Sequence, residues 1–172
     1  MLRQSQFLHY PIFTLILFTP SDQKKSMDLQ NYSFSQHLSD LLLAGDQFTS
    51  TVDPSYLTSG GVYMLRSYDA VGRPITVPRV LDNDPYGILY IGMAKLFSHR
   101  TGDMARSFSK DYLQLKHETG KRYWNNMRFQ EKFPYAYLQV FMWVSTTPAL
   151  LEKEFFIDYL SKYGDTPPLN RI

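Results

Sequence analysis

Between Pro148 and Tyr163 one carboxylate stands where a carboxylate is expensive. Glu152, Phe155, Phe156, Tyr159, Leu160 and Tyr163 recur at i, i+3, i+4, i+7, i+8 and i+11, so they share one face of a helix. Glu154 lies about 200° around that helix, on the polar side with Ser161. A carboxylate on a core-facing stripe needs a metal ion, a cation or a set of hydrogen bonds to answer it. Arg100 repeats the pattern with the opposite sign. If a helix begins near Ala94, Arg100 shares a face with Leu96, Phe97 and Met104, with Met93 just ahead of it. One guanidinium and one carboxylate directed inwards describe either a common polar pocket or a plain buried ion pair.

Other chemistry is scarcer. The chain has no cysteine, which removes disulfides, thiolate metal sites and cysteine nucleophiles together. No Gly-rich phosphate loop, His-based zinc motif or Gly-x-Ser-x-Gly turn occurs. His99 and His117 are isolated and read as structural or solvated. Asp82 and Asp84 flank Asn83 ahead of Pro85, which reads as a turn and not as a second metal site.

Net charge is only +2, but its distribution is uneven. From Lys95 to Lys132 there are nine Lys or Arg against four acids, and outside that window nine against twelve. Phe97, Phe108, Tyr112, Tyr123, Trp124 and Phe129 are interleaved with those cations. Cations alternating with planar side chains suit a phosphate backbone with stacked bases. Within the window Lys110, Lys116, Lys121, Arg122 and Arg128 are the candidate nucleic-acid contacts. A solvated face beside core aromatics is the plainer alternative.

The elements that must position these residues follow from period and punctuation. Phe34, Leu38, Leu41 and Leu42 predict a helix over 33–44, stopped by Gly45, and 46–60 is a polar connector. Strands are expected over 61–65, 88–91 and 136–144, with a long Gly- and Pro-punctuated excursion over 66–87. A helix from about Ala94 should bend or end at Gly102, and 105–132 is helical or irregular. Thr147 as cap and Pro148 at the first helical position open the last helix. The result is an α+β chain with a small central sheet of about three strands flanked by helices.

At 172 residues the sequence makes one domain, and 44% hydrophobic content is enough for a core without staples. Residues 10–18 are apolar but too short to span a bilayer, and no cleavage pattern follows them. We expect 1–26 to be a poorly structured extension or a start-site artefact, 27–60 an N-terminal helix and connector, and 61–172 the working domain. No membrane partner is indicated, and the lack of cysteine favours a reducing, cytoplasmic setting.

Gly61-Val62-Tyr63, Tyr90-Ile91-Gly92, Arg100, Glu152 and Asn170 occur in that order. Together they resemble the GIY-YIG nuclease superfamily over residues 60–171. In that family an arginine follows the second tripeptide's glycine by eight residues, which is the separation of Gly92 and Arg100. The resemblance implies a GIY-YIG-like fold and a DNA endonuclease that hydrolyses phosphodiesters with one divalent ion, Mg²⁺ or Mn²⁺. Glu152 would hold the metal and Tyr63 would take a proton from the attacking water. A free phenol, with a pKa near ~10, is a poor base, so Arg100 and the metal would have to lower it. Arg100 would also steady charge on the transition state, Tyr90 would orient water or phosphate, and Asn170 would tie the C-terminal segment to the site.

The chain departs from the family's simplest pattern in three places. Tyr63 and Tyr90 are 27 residues apart, an insertion that resembles the restriction enzymes of this fold. Met104 stands where many members carry His or Tyr, and Met93 where some carry Lys. Lys95, His99 or His117 would have to substitute. The alternatives to a restriction-type enzyme are a structure-specific repair or mobile-element nuclease, and a nucleic-acid-binding module that has lost catalysis. One such site cuts one strand, so clean double-strand cleavage would call for a homodimer.

Overall fold

The computed structural model describes residues 27–109 and 117–170. Strands β1 (Phe34–His37), β2 (Gly61–Ser67), β3 (Ile88–Ala94) and β4 (Leu138–Val144) form one antiparallel sheet in the order β1-β4-β2-β3. Helices α1 (Gly45–Thr51), α2 (Ser55–Thr58), α3 (Phe97–Phe108), α4 (Glu118–Trp124), α5 (Met127–Lys132) and α6 (Pro148–Tyr163) surround it. The chain is therefore α+β. Among the described residues no helix is long and apolar enough to cross a membrane.

Residues of β2 alternate between two cores. Tyr63 and Leu65 face α3, where they pack with Leu89, Val140, Met142, Phe97, Met104 and Phe108. Val62 and Met64 face α6 and join Ile91, Phe141, Trp143, Phe155, Tyr159 and Tyr163. Because β2 is central it is covered on both sides, and its run reads as continuously apolar. Each such side chain contributes about 1.5–3 kcal/mol when fully buried.

The N-terminal expectations need correcting. Phe34 begins strand β1, which pairs with β4 through Phe34 opposite Met142, and only a short 3-10 turn at Asp40–Leu42 is helical. Phe34 and Leu38 are four apart, an interval that keeps two side chains on one face of a strand as well as of a helix. The unpaired edge of β4 decides between them, and it takes Ser33 N, with the strand register continuing to Leu38 N on Leu138 O at 2.9 Å. The sheet therefore has four strands, and segment 27–60 supplies one of them. Gly45 opens α1 instead of closing a helix, and the presumed connector contains both α1 and α2. Their Ser and Thr content disguised them; Asp53 Oδ1 accepts from Ser55 N at 2.8 Å and secures the start of α2.

Two further boundaries moved. β3 continues through Gly92 to Ala94, so the helix begins at Phe97 and runs past Gly102 without stopping. Gly102 is buried in the middle of α3, where flanking contacts outweigh the roughly 1 kcal/mol a helical glycine costs. The excursion over 68–87 is irregular, as expected, but Asp84 is not a plain turn residue. It is fully buried, and its carboxylate accepts from Tyr86 N and Ile88 N, each at 2.8 Å, and from the Tyr159 hydroxyl at 3.3 Å. Arg79 pairs with Asp165, and Leu81 N donates to Tyr163 O, so the excursion is fastened to the end of α6.

β3 is an edge strand, and its outward backbone groups from Leu89 O to Met93 N are claimed by the last helix and the C-terminal segment. Leu169 N donates to Leu89 O at 2.9 Å, and the Asn170 side chain both accepts from Ile91 N (2.9 Å) and donates to Ile91 O (2.8 Å). Met93 N–H donates to the Glu152 carboxylate.

Candidate active site

Tyr63 is fully buried on β2, directly opposite Gly92 of β3. A Cβ on residue 92 would lie 2.6 Å from Tyr90 Cε1 and 2.9 Å from the Tyr63 hydroxyl oxygen. Only glycine leaves room for both rings to lean over that strand, with their centroids 5.8 Å apart. The sequence Tyr90-Ile91-Gly92 is thus a packing requirement of the tyrosine pair.

His117 completes the group from the far side. Gly120 lets α4 press against α3, since a Cβ there would sit 2.3 Å from Ser107 O. That contact brings the helix cap, His117, beneath the tyrosines. Its Nδ1 accepts from Thr119 N at 3.3 Å, so in the neutral ring the proton resides on Nε2. Nε2 lies 3.4 Å from the Tyr63 hydroxyl and donates to it, while the Tyr90 ring meets the imidazole edge-on at 5.6 Å. Burial first, then the Arg100 charge, pushes the His117 pKa down to about 4. The imidazole is therefore neutral near pH 7, and it is a donor to the phenol rather than an acceptor of its proton.

Arg100 links this cluster to Glu152. It is exposed on α3, between the buried Phe97 and Met104, against the expectation of an inward-facing guanidinium. Its charge nevertheless acts on Tyr63, His117 and Glu152 alike, and its guanidinium and the Tyr90 hydroxyl also engage the Tyr63 hydroxyl by side-chain hydrogen bonding. Burial holds the Tyr63 hydroxyl well above the usual phenol range, and the neighbouring Tyr90 adds to that, while Arg100 opposes it. As folded, then, Tyr63 keeps its proton.

Glu152 is half-buried and Glu154 exposed, which agrees with the helix-face reading. Leu160 departs from that face and is exposed. Burial pushes the Glu152 carboxyl up, against the Met93 N–H bond and the Arg100 charge that pull it down. Among the described residues no three His, Asp or Glu converge as a ready metal cage. A single carboxylate beside a cation still fits Mg²⁺, which is often held by one or two carboxylates with waters and substrate phosphate completing its shell. Beside it, Met93, Lys95, Leu96, His99, Arg100 and Pro148 line an open cleft of about 870 Å³.

The remaining candidates are dispersed. Lys95 and His99 are exposed on the cleft wall, and it is His117 that touches Tyr63. Met104 is fully buried in the core. Asn170 holds the middle of β3, one residue from Tyr90. Lys121 is exposed and pairs with Glu118 at 3.2 Å, and Arg128 is exposed on α5. Arg122 is not a free surface cation: it is partly buried and donates to Leu169 O, bracing the C-terminal segment. Lys110 and Lys116 lie outside the described residues, as does the 1–26 extension. Spacing did not single out the buried Asp84 carboxylate or Arg66, and it offered His117 only as one of three substitutes beside Lys95 and His99. Against known proteins the chain matches no family model, no curated protein and no solved structure.

Proposed function

We propose that the chain is a DNA endonuclease that hydrolyses phosphodiester bonds with one divalent metal ion, of restriction type. The observation that carries this reading is the convergence of Tyr63, Tyr90, Arg100 and Glu152 around one end of β3, from β2, β3, α3 and α6. Side chains separated by 89 residues of sequence, from Tyr63 to Glu152, answer to one guanidinium.

In this reading Glu152 holds Mg²⁺ or Mn²⁺, which supplies charge neutralisation at the phosphate and at the leaving oxygen. Arg100 presents its fork to the non-bridging oxygens, where negative charge grows. Tyr63 works in a pocket with two donors aimed at its oxygen, the His117 Nε2–H and Arg100. Both favour the phenolate over the phenol. Burial opposes them in the free protein, so Tyr63 would become a base only when the positive charge of a bound metal ion is added to that of Arg100. Tyr90, stacked beside it, orients the water or phosphate. The exposed Lys95, Lys121 and Arg128 add a sequence-independent hold on the backbone. Each site cuts one strand, so clean double-strand cleavage would favour a homodimer.

Plasmid DNA incubated with the protein and Mg²⁺, or with EDTA, tests the reading. Nicked or linear product that requires Mg²⁺ and is missing with Tyr63→Phe supports it. Intact plasmid under every metal and substrate condition refutes it.

A further inference from the structure

On the opposite face of the sheet from Tyr63 stands a cation without an anion. Arg66 follows Val62 and Met64 onto the α6 side of β2, beyond the reach of α6, where the β2–β3 register shifts between Leu65 and Arg66. It is only 7% exposed. Its Nε donates to Tyr86 O at 2.9 Å, and its guanidinium carbon lies 4.5 Å from the centre of the Phe141 ring and 5.5 Å from that of Tyr68. Among the described residues neither terminal nitrogen has a hydrogen-bond acceptor, and no carboxylate forms an ion pair with it. Asp84 acts on it through charge alone, its oxygens being committed to Tyr86 N, Ile88 N and Tyr159.

Two aromatic faces offset part of the cost of burying that charge. They leave four terminal N–H groups unused. Those groups line a pocket of about 370 Å³ that also presents Tyr32, Ser35, Gln139 and Gly72. A carboxylate commits both oxygens to the guanidinium fork and keeps only their second lone pairs for the surrounding hydroxyls and amide. A phosphate group has enough for both. The Tyr32 ring, edge to face with Phe141 at 4.8 Å, borders the pocket with an apolar surface. The room exceeds what a bare phosphate fills.

We propose that the Arg66 pocket binds the phosphate group of a nucleotide or of a nucleic-acid backbone, as a site separate from the one at Tyr63. It does not depend on the nuclease reading.

The test follows the Arg66 Nε–H resonance of the full chain while inorganic phosphate is added at constant ionic strength. A saturating shift is expected, accompanied by a rise in Tm. Arg66→Lys should weaken binding about tenfold or more, since an ammonium cannot reproduce the fork. Arg66→Met should abolish the rise. A 5′-mononucleotide and a short DNA duplex then distinguish the sources, the tighter binder being the natural one. An Arg66 resonance that does not move overturns the proposal. So does an equal rise in Tm for Arg66→Met, which is general exclusion of phosphate from the protein surface. Should Arg66→Met fail to fold, the resonance of the unaltered chain and the Arg66→Lys variant decide the matter.

Discussion

Acidification should expose the tie between His117 and Tyr63. In the folded chain the imidazole titrates at about 4 instead of 6.5, chiefly because it is buried. Between those values the unfolded chain binds a proton that the folded chain refuses, so stability is fully present above 6.5 and is lost as pH falls towards 4. The gap is worth about 3 kcal/mol at roughly 1.4 kcal/mol per pH unit. Protonation has a local cost as well: a proton on Nδ1 would meet the Thr119 N–H that this nitrogen now accepts, undoing the cap of α4. Asp84 and Glu152, whose carboxyls are pushed up by burial, change in the opposite sense over part of that range. The comparison must therefore be made against His117→Gln, which keeps those terms and removes the imidazole. Thermal unfolding from pH 7.5 to 4 should show the advantage of the unaltered chain over the variant shrinking as pH falls. At about 2–4 °C per kcal/mol for a chain of this size, the two Tm curves should converge by about 6–12 °C. Parallel curves over the whole range would refute the claim that His117 is buried, neutral and donating through Nε2.

Tyr63→Phe should bind DNA normally and lose nearly all cleavage, with stability lowered by roughly 1 kcal/mol, or about 2–4 °C in Tm, for the lost hydroxyl contact; full activity would remove Tyr63 from the proton-transfer role. Glu152→Gln should abolish metal-dependent cleavage while leaving Tm equal or higher, because a carboxylate raised by burial is relieved of its charge, whereas Glu154→Gln should cut normally; cleavage assays with the reverse outcome would falsify the helix-face argument. Arg122→Gln should lower Tm by freeing the Leu169 carbonyl and leave the salt slope of DNA binding nearly intact, while Lys121→Gln with Arg128→Gln should flatten that slope without touching Tm; a binding titration across salt concentrations checks both. Asp84→Ala should cost about 2–3 kcal/mol by stranding two backbone N–H groups, read from denaturant unfolding, and a loss under 0.5 kcal/mol would show that water replaces the carboxylate.

The last helix was legible because its period is long and its first residues are distinctive: Thr147, Pro148 and a stripe running twelve residues from Glu152 to Tyr163 define it without help from the rest of the chain. β2 and the core of β4 were legible for the same kind of reason. β1 was not, because Phe34 and Leu38 satisfy two periods at once and the arbiter is a vacant edge more than a hundred residues away. In the site, Tyr63, Tyr90 and Glu152 came from local patterns. His117 did not, since what brings it to Tyr63 is the close approach of α4 to α3 at Gly120, a tertiary event with no signature in its own neighbourhood. Arg122's bond to Leu169 was hidden for a related reason: in a basic stretch a cation looks the same whether it meets phosphate or a carbonyl of its own chain.

The closure of the β3 edge has a consequence for how copies of this chain can meet. An open edge invites a further strand from a neighbour, which is how sheets aggregate. Here Leu169, Asn170 and Glu152 occupy every other backbone position from Leu89 to Met93, so a second copy cannot extend the sheet on that side. The last turns of the chain act as a removable plug. Trimming it ahead of Leu169 would leave Leu89 O and the Ile91 backbone groups bare and open the β3 edge to a strand from a second copy.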